Sequence, residues 1–81
     1  MNDTIDLHGS CAEDALFELE KFINYSIMNG VDEIKIIHGK GKGIIKEAVK
    51  EYLESSALVV SFEFDSVFYG YGTIKARLIR I

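Results

Sequence analysis

Proline and tryptophan are absent from this 81-residue chain, and cysteine occurs once, at Cys11. One thiol excludes an internal disulfide framework and suits a reducing compartment. Cys11 falls at the expected start of a helix, where a thiol pKa can drop. Nothing else in the sequence points to thiol chemistry, so it reads as a helix-start residue. Long apolar runs are missing too. No stretch approaches the ~18 residues needed to cross a bilayer, and the opening Met1-Asn2-Asp3-Thr4 lacks the basic-then-apolar layout of a secretory signal. The expected location is the cytoplasm, with no membrane partner. With 48% hydrophobic and 27% charged residues and no low-complexity tract, a disordered chain is excluded. The length allows one domain over residues 1–81, small enough to bury only about 60% of the surface its unfolded chain exposes.

A basic excess is also lacking, since the formal net charge is −4. Domains that grip a phosphate backbone usually present a basic surface, so the bulk charge argues against such a partner. The average conceals an asymmetry. Residues 1–33 carry eight acidic side chains against Lys21 alone, whereas residues 34–81 carry eight basic side chains against five acidic ones. A polyanion would be repelled from one part of the molecule and tolerated on another.

What is present is a regular alternation of strand and helix signals. Thr4–Leu7 reads as a first strand, with Ile5 and Leu7 on one side and Asp6 on the other. Ser10 and Glu13 fit a capping box. Ala12, Ala15, Leu16, Leu19, Phe22, Ile23 and Ile27 then recur at helical spacing up to a stop at Gly30. Glu33–His38, rich in isoleucine, is the second strand, and Ile44–Ser55 repeats apolar residues with helical spacing. Val59–Phe64 and Thr73–Ile81 read as strands three and four around a Gly70-Tyr71-Gly72 loop. Strand–helix–strand units demand parallel strands, and the short last connection favours an antiparallel final strand. The expected fold is α/β: a two-layer sandwich in the order β-α-β-α-β-β, its mixed four-stranded sheet carrying both helices on one face.

Two His-Gly dipeptides, His8-Gly9 and His38-Gly39, each lie between a strand and a helix. If strands one and two are parallel, both fall at the carboxyl ends of their strands, where α/β sheets place ligands. Two helix amino termini would then meet one edge, and their N–H groups and dipoles favour an anion there. Gly9, Gly39 and Gly41 would let a phosphate approach the backbone, with Lys40 and Lys42 as mobile cations. The loop is not a nucleotide-binding P-loop, because Ile44 follows Gly43 where that motif needs lysine and a hydroxyl. Taken singly, each histidine reads as a capping or packing residue and Asp6 as a solvated carboxylate. Their pairing at one edge is what points to a site. With two histidines, one nearby carboxylate and no further Cys or His there, a zinc site is not expected. Lys46 and Lys50 alternate with Glu47 and Glu51 and read as a solvated helix face. Lys35, Lys75 and Arg77 are the candidate auxiliary phosphate contacts.

The segments Ile5-Asp6-Leu7-His8-Gly9 and Ile36-Ile37-His38-Gly39-Lys40-Gly41, separated by an amphipathic helix, resemble the Smr (small MutS-related) domain over nearly the whole chain. The family's third feature, a Gly-Gly-x-Gly loop before a threonine-containing strand, is represented here by Tyr69-Gly70-Tyr71-Gly72-Thr73-Ile74. The first glycine is missing and the threonine is shifted, and Tyr69 or Tyr71 could offer a stacking surface instead. The resemblance implies an endonuclease that nicks DNA or cleaves RNA, with Asp6, His8, His38, Gly39, Lys40 and Gly41 as its site. It implies nucleic acid as partner, with the ribosome or the rest of a MutS-like chain as further ones. Cleavage of RNA by a pair of histidines would need no metal. DNA lacks the 2′-hydroxyl, so nicking it would call for an activated water and a divalent ion such as Mg2+ held by Asp6 and the substrate phosphate. The alternative is a module that positions a larger protein on branched nucleic acid or ribosomes without chemistry of its own.

Overall fold

The computed structural model describes residues 3–39, 43–68 and 71–81. Its elements run β1 (Thr4–Asp6), α1 (Ala12–Met28), β2 (Glu33–Gly39), α2 (Ile44–Ser55), β3 (Val59–Phe68) and β4 (Tyr71–Leu78). The strands form one sheet in the order β1-β2-β4-β3, with β1 parallel to β2 and β4 antiparallel to both its neighbours. The β2–α2–β3 crossover therefore does run its two strands parallel, but β4 returns between them.

Alternation along the strands divides the sheet into two faces. Ile34 and Ile36 of β2 and Ile74, Ala76 and Leu78 of β4 turn inward against Ala15, Leu19 and Ile23 of α1 and Val49 and Leu53 of α2, all buried. Both helices thus cover one face, as the apolar spacing requires. Truncating a side chain such as Leu19, fully buried here, to alanine is expected to cost about 2–5 kcal/mol. The opposite face carries the intervening residues, Lys35 of β2, Lys75 and Arg77 of β4, and Glu63 of β3, aligned by register as Lys35↔Lys75↔Glu63.

Four details depart from the sequence expectations. The Ser10–Glu13 capping box does not form: the N-cap of α1 is Cys11, without a side-chain cap, because a turn closed by the Ser10 N–H on Leu7 O (3.2 Å) delays the helix by one residue. Leu7 leaves β1 yet stays buried, its N–H still donating to Ile37 O at 2.8 Å. β3 runs on past Phe64, and Tyr71 and Gly72 belong to β4, while Gly70 lies outside the described residues. The pairs Asp65↔Thr73 and Phe68↔Tyr71 are held by backbone bonds, which need no apolar alternation to form. β4 ends at Leu78, where the Ile79 N–H turns to Leu58 O (3.0 Å).

Candidate functional site

Because β1 and β2 are parallel and paired through Asp6↔Ile37, the residues that follow them emerge side by side at one edge of the sheet. There His8-Gly9 turns toward α1 and His38-Gly39 leads toward α2. Between the two helix starts lies a cleft of about 440 Å³, bounded by Ser10, Cys11 and Ala12 on one side, Gly43, Ile44 and Lys46 on the other, and floored by His38-Gly39. Neither N-cap residue, Cys11 or Gly43, supplies a side-chain hydrogen bond to its helix. Both helix starts therefore offer N–H groups and the positive end of a dipole at the cleft. The first-turn acids Glu13, Asp14 and Glu47 oppose an anion there, so a cation in the cleft carries added weight.

His8 and Asp6 form a hydrogen-bonded pair. The Asp6 Oδ1 accepts from the His8 ring at 2.5 Å through Nδ1 and from the His8 backbone N–H at 3.1 Å. Burial draws the Asp6 carboxyl upward, but the side-chain and backbone bonds from His8 and its charge outweigh this, leaving Asp6 below its ordinary 3.8. An ionised Asp6 cannot donate, so the shared proton belongs to His8 Nδ1.

His38 is half-buried, and its Nδ1 meets Gly39 O at 3.1 Å. A carbonyl only accepts, so Nδ1 carries the proton and Nε2 is the basic nitrogen. Burial pushes the imidazole below its ordinary 6.5. The bond to Gly39 works against that shift, and the nearby Lys46 charge adds to it. His38 is therefore neutral near pH 7.

Gly39 is the residue that joins the two histidines. Its carbonyl holds the His38 ring, and a methyl group on its Cα would lie 2.8 Å from His8 Cβ. Its φ of +87°, like the +82° of Gly9, lies in the left-handed region that glycine enters without strain. Across the edge, a side chain on Gly72 would collide with the His38 ring, 2.8 Å from its Nε2. Contact and backbone conformation together explain Gly39, and backbone conformation alone explains Gly9, without appeal to a ligand.

The other sequence candidates divide. Lys40, Gly41 and Lys42 lie outside the described residues. Lys35, Lys75 and Arg77 are on the open sheet face, where Lys35 pairs with Asp65 (3.6 Å), Lys75 with Glu33 (3.8 Å), and Arg77 with Glu33 (3.1 Å). One residue absent from the sequence candidates lines the cleft instead, and a second adjoins it. Lys46 lines it, and its ammonium stands 4.7 Å from the ring centre of Phe64, an exposed residue of β3. Helical spacing places Lys46 on a polar face but does not say what that face adjoins. Among the described residues, no three His, Cys, Asp or Glu side chains lie close enough to hold a metal ion, and no helix is long and apolar enough to cross a membrane.

Comparison with known proteins matches residues 5–73 to the model of the Smr domain. The chain is 41% identical over 75 residues to the endonuclease MutS2 of Finegoldia magna, an alignment covering 93% of this chain and 9% of that protein. Its structure superposes on the Smr domain of Thermus thermophilus MutS2 with a TM-score of 0.86 at 28% identity, covering 95% of this chain and 98% of that domain. It is likewise similar to YdaL, a stand-alone small MutS-related protein of Escherichia coli (TM-score 0.85, 22% identity, 98% and 65% coverage), a likeness of fold alone. The chain spans about a tenth of the length of the MutS2 relatives it matches.

Proposed function

Since the chain belongs to the Smr domain family, we propose that it binds nucleic acid at the cleft between α1 and α2 and cleaves the phosphodiester held there. The observation that carries this reading is the meeting, through Gly39, of the His8–Asp6 pair with a neutral His38 at the edge where both helices begin. Identity to chains named endonuclease MutS2 supports the reaction class.

For RNA, the two histidines divide the proton transfers. His38, neutral near pH 7 with Nε2 basic, accepts the proton of the 2′-hydroxyl. His8, oriented by Asp6 through Nδ1, serves as general acid in its imidazolium form, giving the Nε2 proton to the departing 5′-oxygen while the Asp6 carboxylate supports the charge of the ring. Lys46, the helix N–H groups and the Lys40 and Lys42 of the loop sequence offset the charge that builds on phosphorus. Gly9 and Gly39 carry no side chain to block a phosphate from the backbone there. For DNA, a water would take the place of the 2′-hydroxyl, and a Mg2+ ion, were one bound, would be held by Asp6 and the substrate phosphate and would supply the activation of that water.

A cleavage assay with supercoiled plasmid and end-labelled structured RNA, run in Mg2+ and in chelator, tests this. The expected result is product from the native chain and none from His38→Ala or Asp6→Ala, with the chelator lanes separating the two chemistries. A mobility shift without product from any substrate would reduce the domain to a recognition module that positions a larger protein on branched nucleic acid or ribosomes.

A further inference from the structure

We infer that Phe64 and Lys46 form a subsite for an unpaired nucleobase adjoining the phosphate in the cleft, so that the domain engages strands with a base free to leave its stack. The inference rests on the nucleic-acid reading above and names the substrate class that site takes. Phe64 lies opposite Ile74 in the β3–β4 register, on the helix-bearing face, yet its side chain is 48% exposed where its neighbours on that face are covered. Phe62 meets it edge to face, with ring centres 6.3 Å apart and planes at 87°, which fixes the Phe64 ring from one side. Lys46 connects the ring to the cleft. It is the one described lysine among the residues lining that cleft, and its ammonium lies over Phe64.

A phosphate in the cleft would draw the Lys46 ammonium toward it and leave the ring face to a base. An exposed cation–π contact is weak compared with base stacking on an aromatic ring, so the exchange favours the nucleotide. The cleft wall supports the same class of ligand. Ile44, at the first position of α2, lines it with 64% of its side chain exposed, an apolar surface that suits a base or sugar and does nothing for a phosphate. Phe64 has no hydrogen-bonding group, so the subsite reads the presence of a free base and not its identity. A duplex, whose bases are stacked on each other, offers it nothing.

The test is fluorescence anisotropy with three labelled probes: a single-stranded oligonucleotide, the same backbone carrying abasic sugars, and a blunt duplex. The native chain is expected to bind the single strand about tenfold more tightly than the other two. Phe64→Ala should erase that preference while leaving the abasic probe unchanged, and Phe64→Trp should retain it. Circular dichroism of each variant checks that the exposed position leaves the fold intact. Equal binding of all probes by the native chain, or an undiminished preference in Phe64→Ala, overturns the subsite alone. No binding of any probe by the native chain removes the nucleic-acid reading and the subsite with it.

Discussion

The strand-end cleft and the open sheet face belong to one small sheet, yet they treat charge in opposite ways. On the open face, register brings cations and carboxylates together: Lys75 and Arg77 of β4 reach Glu33 of β2, and Lys35 of β2 reaches Asp65 of β3. At the cleft, two helices start without side-chain caps, and Lys46 leans on an aromatic ring. Three of the eight basic residues of 34–81, Lys35, Lys75 and Arg77, are thus paired across strands on the open face, whereas Lys46 lines the cleft with an aromatic ring as its neighbour. Counting charges along a chain does not locate a binding surface. The partners each charge meets in the fold decide it.

That contrast can be broken most severely at the cleft. His38→Ala is expected to lower the cleavage rate by about 10²–10⁴-fold, the usual worth of a general base, while changing affinity less than twofold; single-turnover rates and anisotropy on the same substrate separate the two. Gly39→Ala should act on stability. A φ of +87° and a methyl group 2.8 Å from His8 Cβ predict a loss of about 1–3 kcal/mol in urea denaturation.

The pH dependence of stability sharpens the same point. His38 has its folded pKa below the ordinary 6.5, so an unfolded chain takes up that proton first. Its contribution is fully present above 6.5 and is lost as pH falls toward the folded value. Asp6 and Asp32, both held below 3.8, contribute above that value and lose their effect as pH falls through their folded pKa values. Urea midpoints should therefore decline in two stages on acidification, and His38→Gln should remove the His38 part of the first. Smallest of all is the effect expected on the open face. Lys75→Ala, breaking a half-exposed ion pair at 3.8 Å, should shift stability by about 0–1 kcal/mol and affinity for any nucleic acid by less than twofold. A large loss of binding there would move the interface to the open face and undo the comparison.

Much of this was legible beforehand, for identifiable reasons. Isoleucines at alternate positions of β2 and apolar residues at three- and four-residue steps in α1 can be buried only one way, so the layers and the side that carries the helices followed from periodicity. The meeting of His8-Gly9 with His38-Gly39 followed from the parallel pairing that a strand–helix–strand unit demands. The start of α1 at Ala12 and the extension of β3 to Phe68 did not. A turn closed by a backbone bond delays the one, and backbone pairing across a ribbon lengthens the other, and neither leaves a mark in side-chain pattern.

The sequence by itself determined the order of elements, the inward faces and the edge at which the histidines gather, because spacing and chain connectivity are one-dimensional properties that burial converts directly into position. Only the tertiary structure decided the rest. β4 inserted between β2 and β3, which set Lys75 and Arg77 beside Glu33. The approach of α2 to β3 brought Lys46 over Phe64 beside the cleft. Pairings of this kind join residues far apart along the chain, and they depend on which strands adjoin and in which register, information that no local pattern of residues contains.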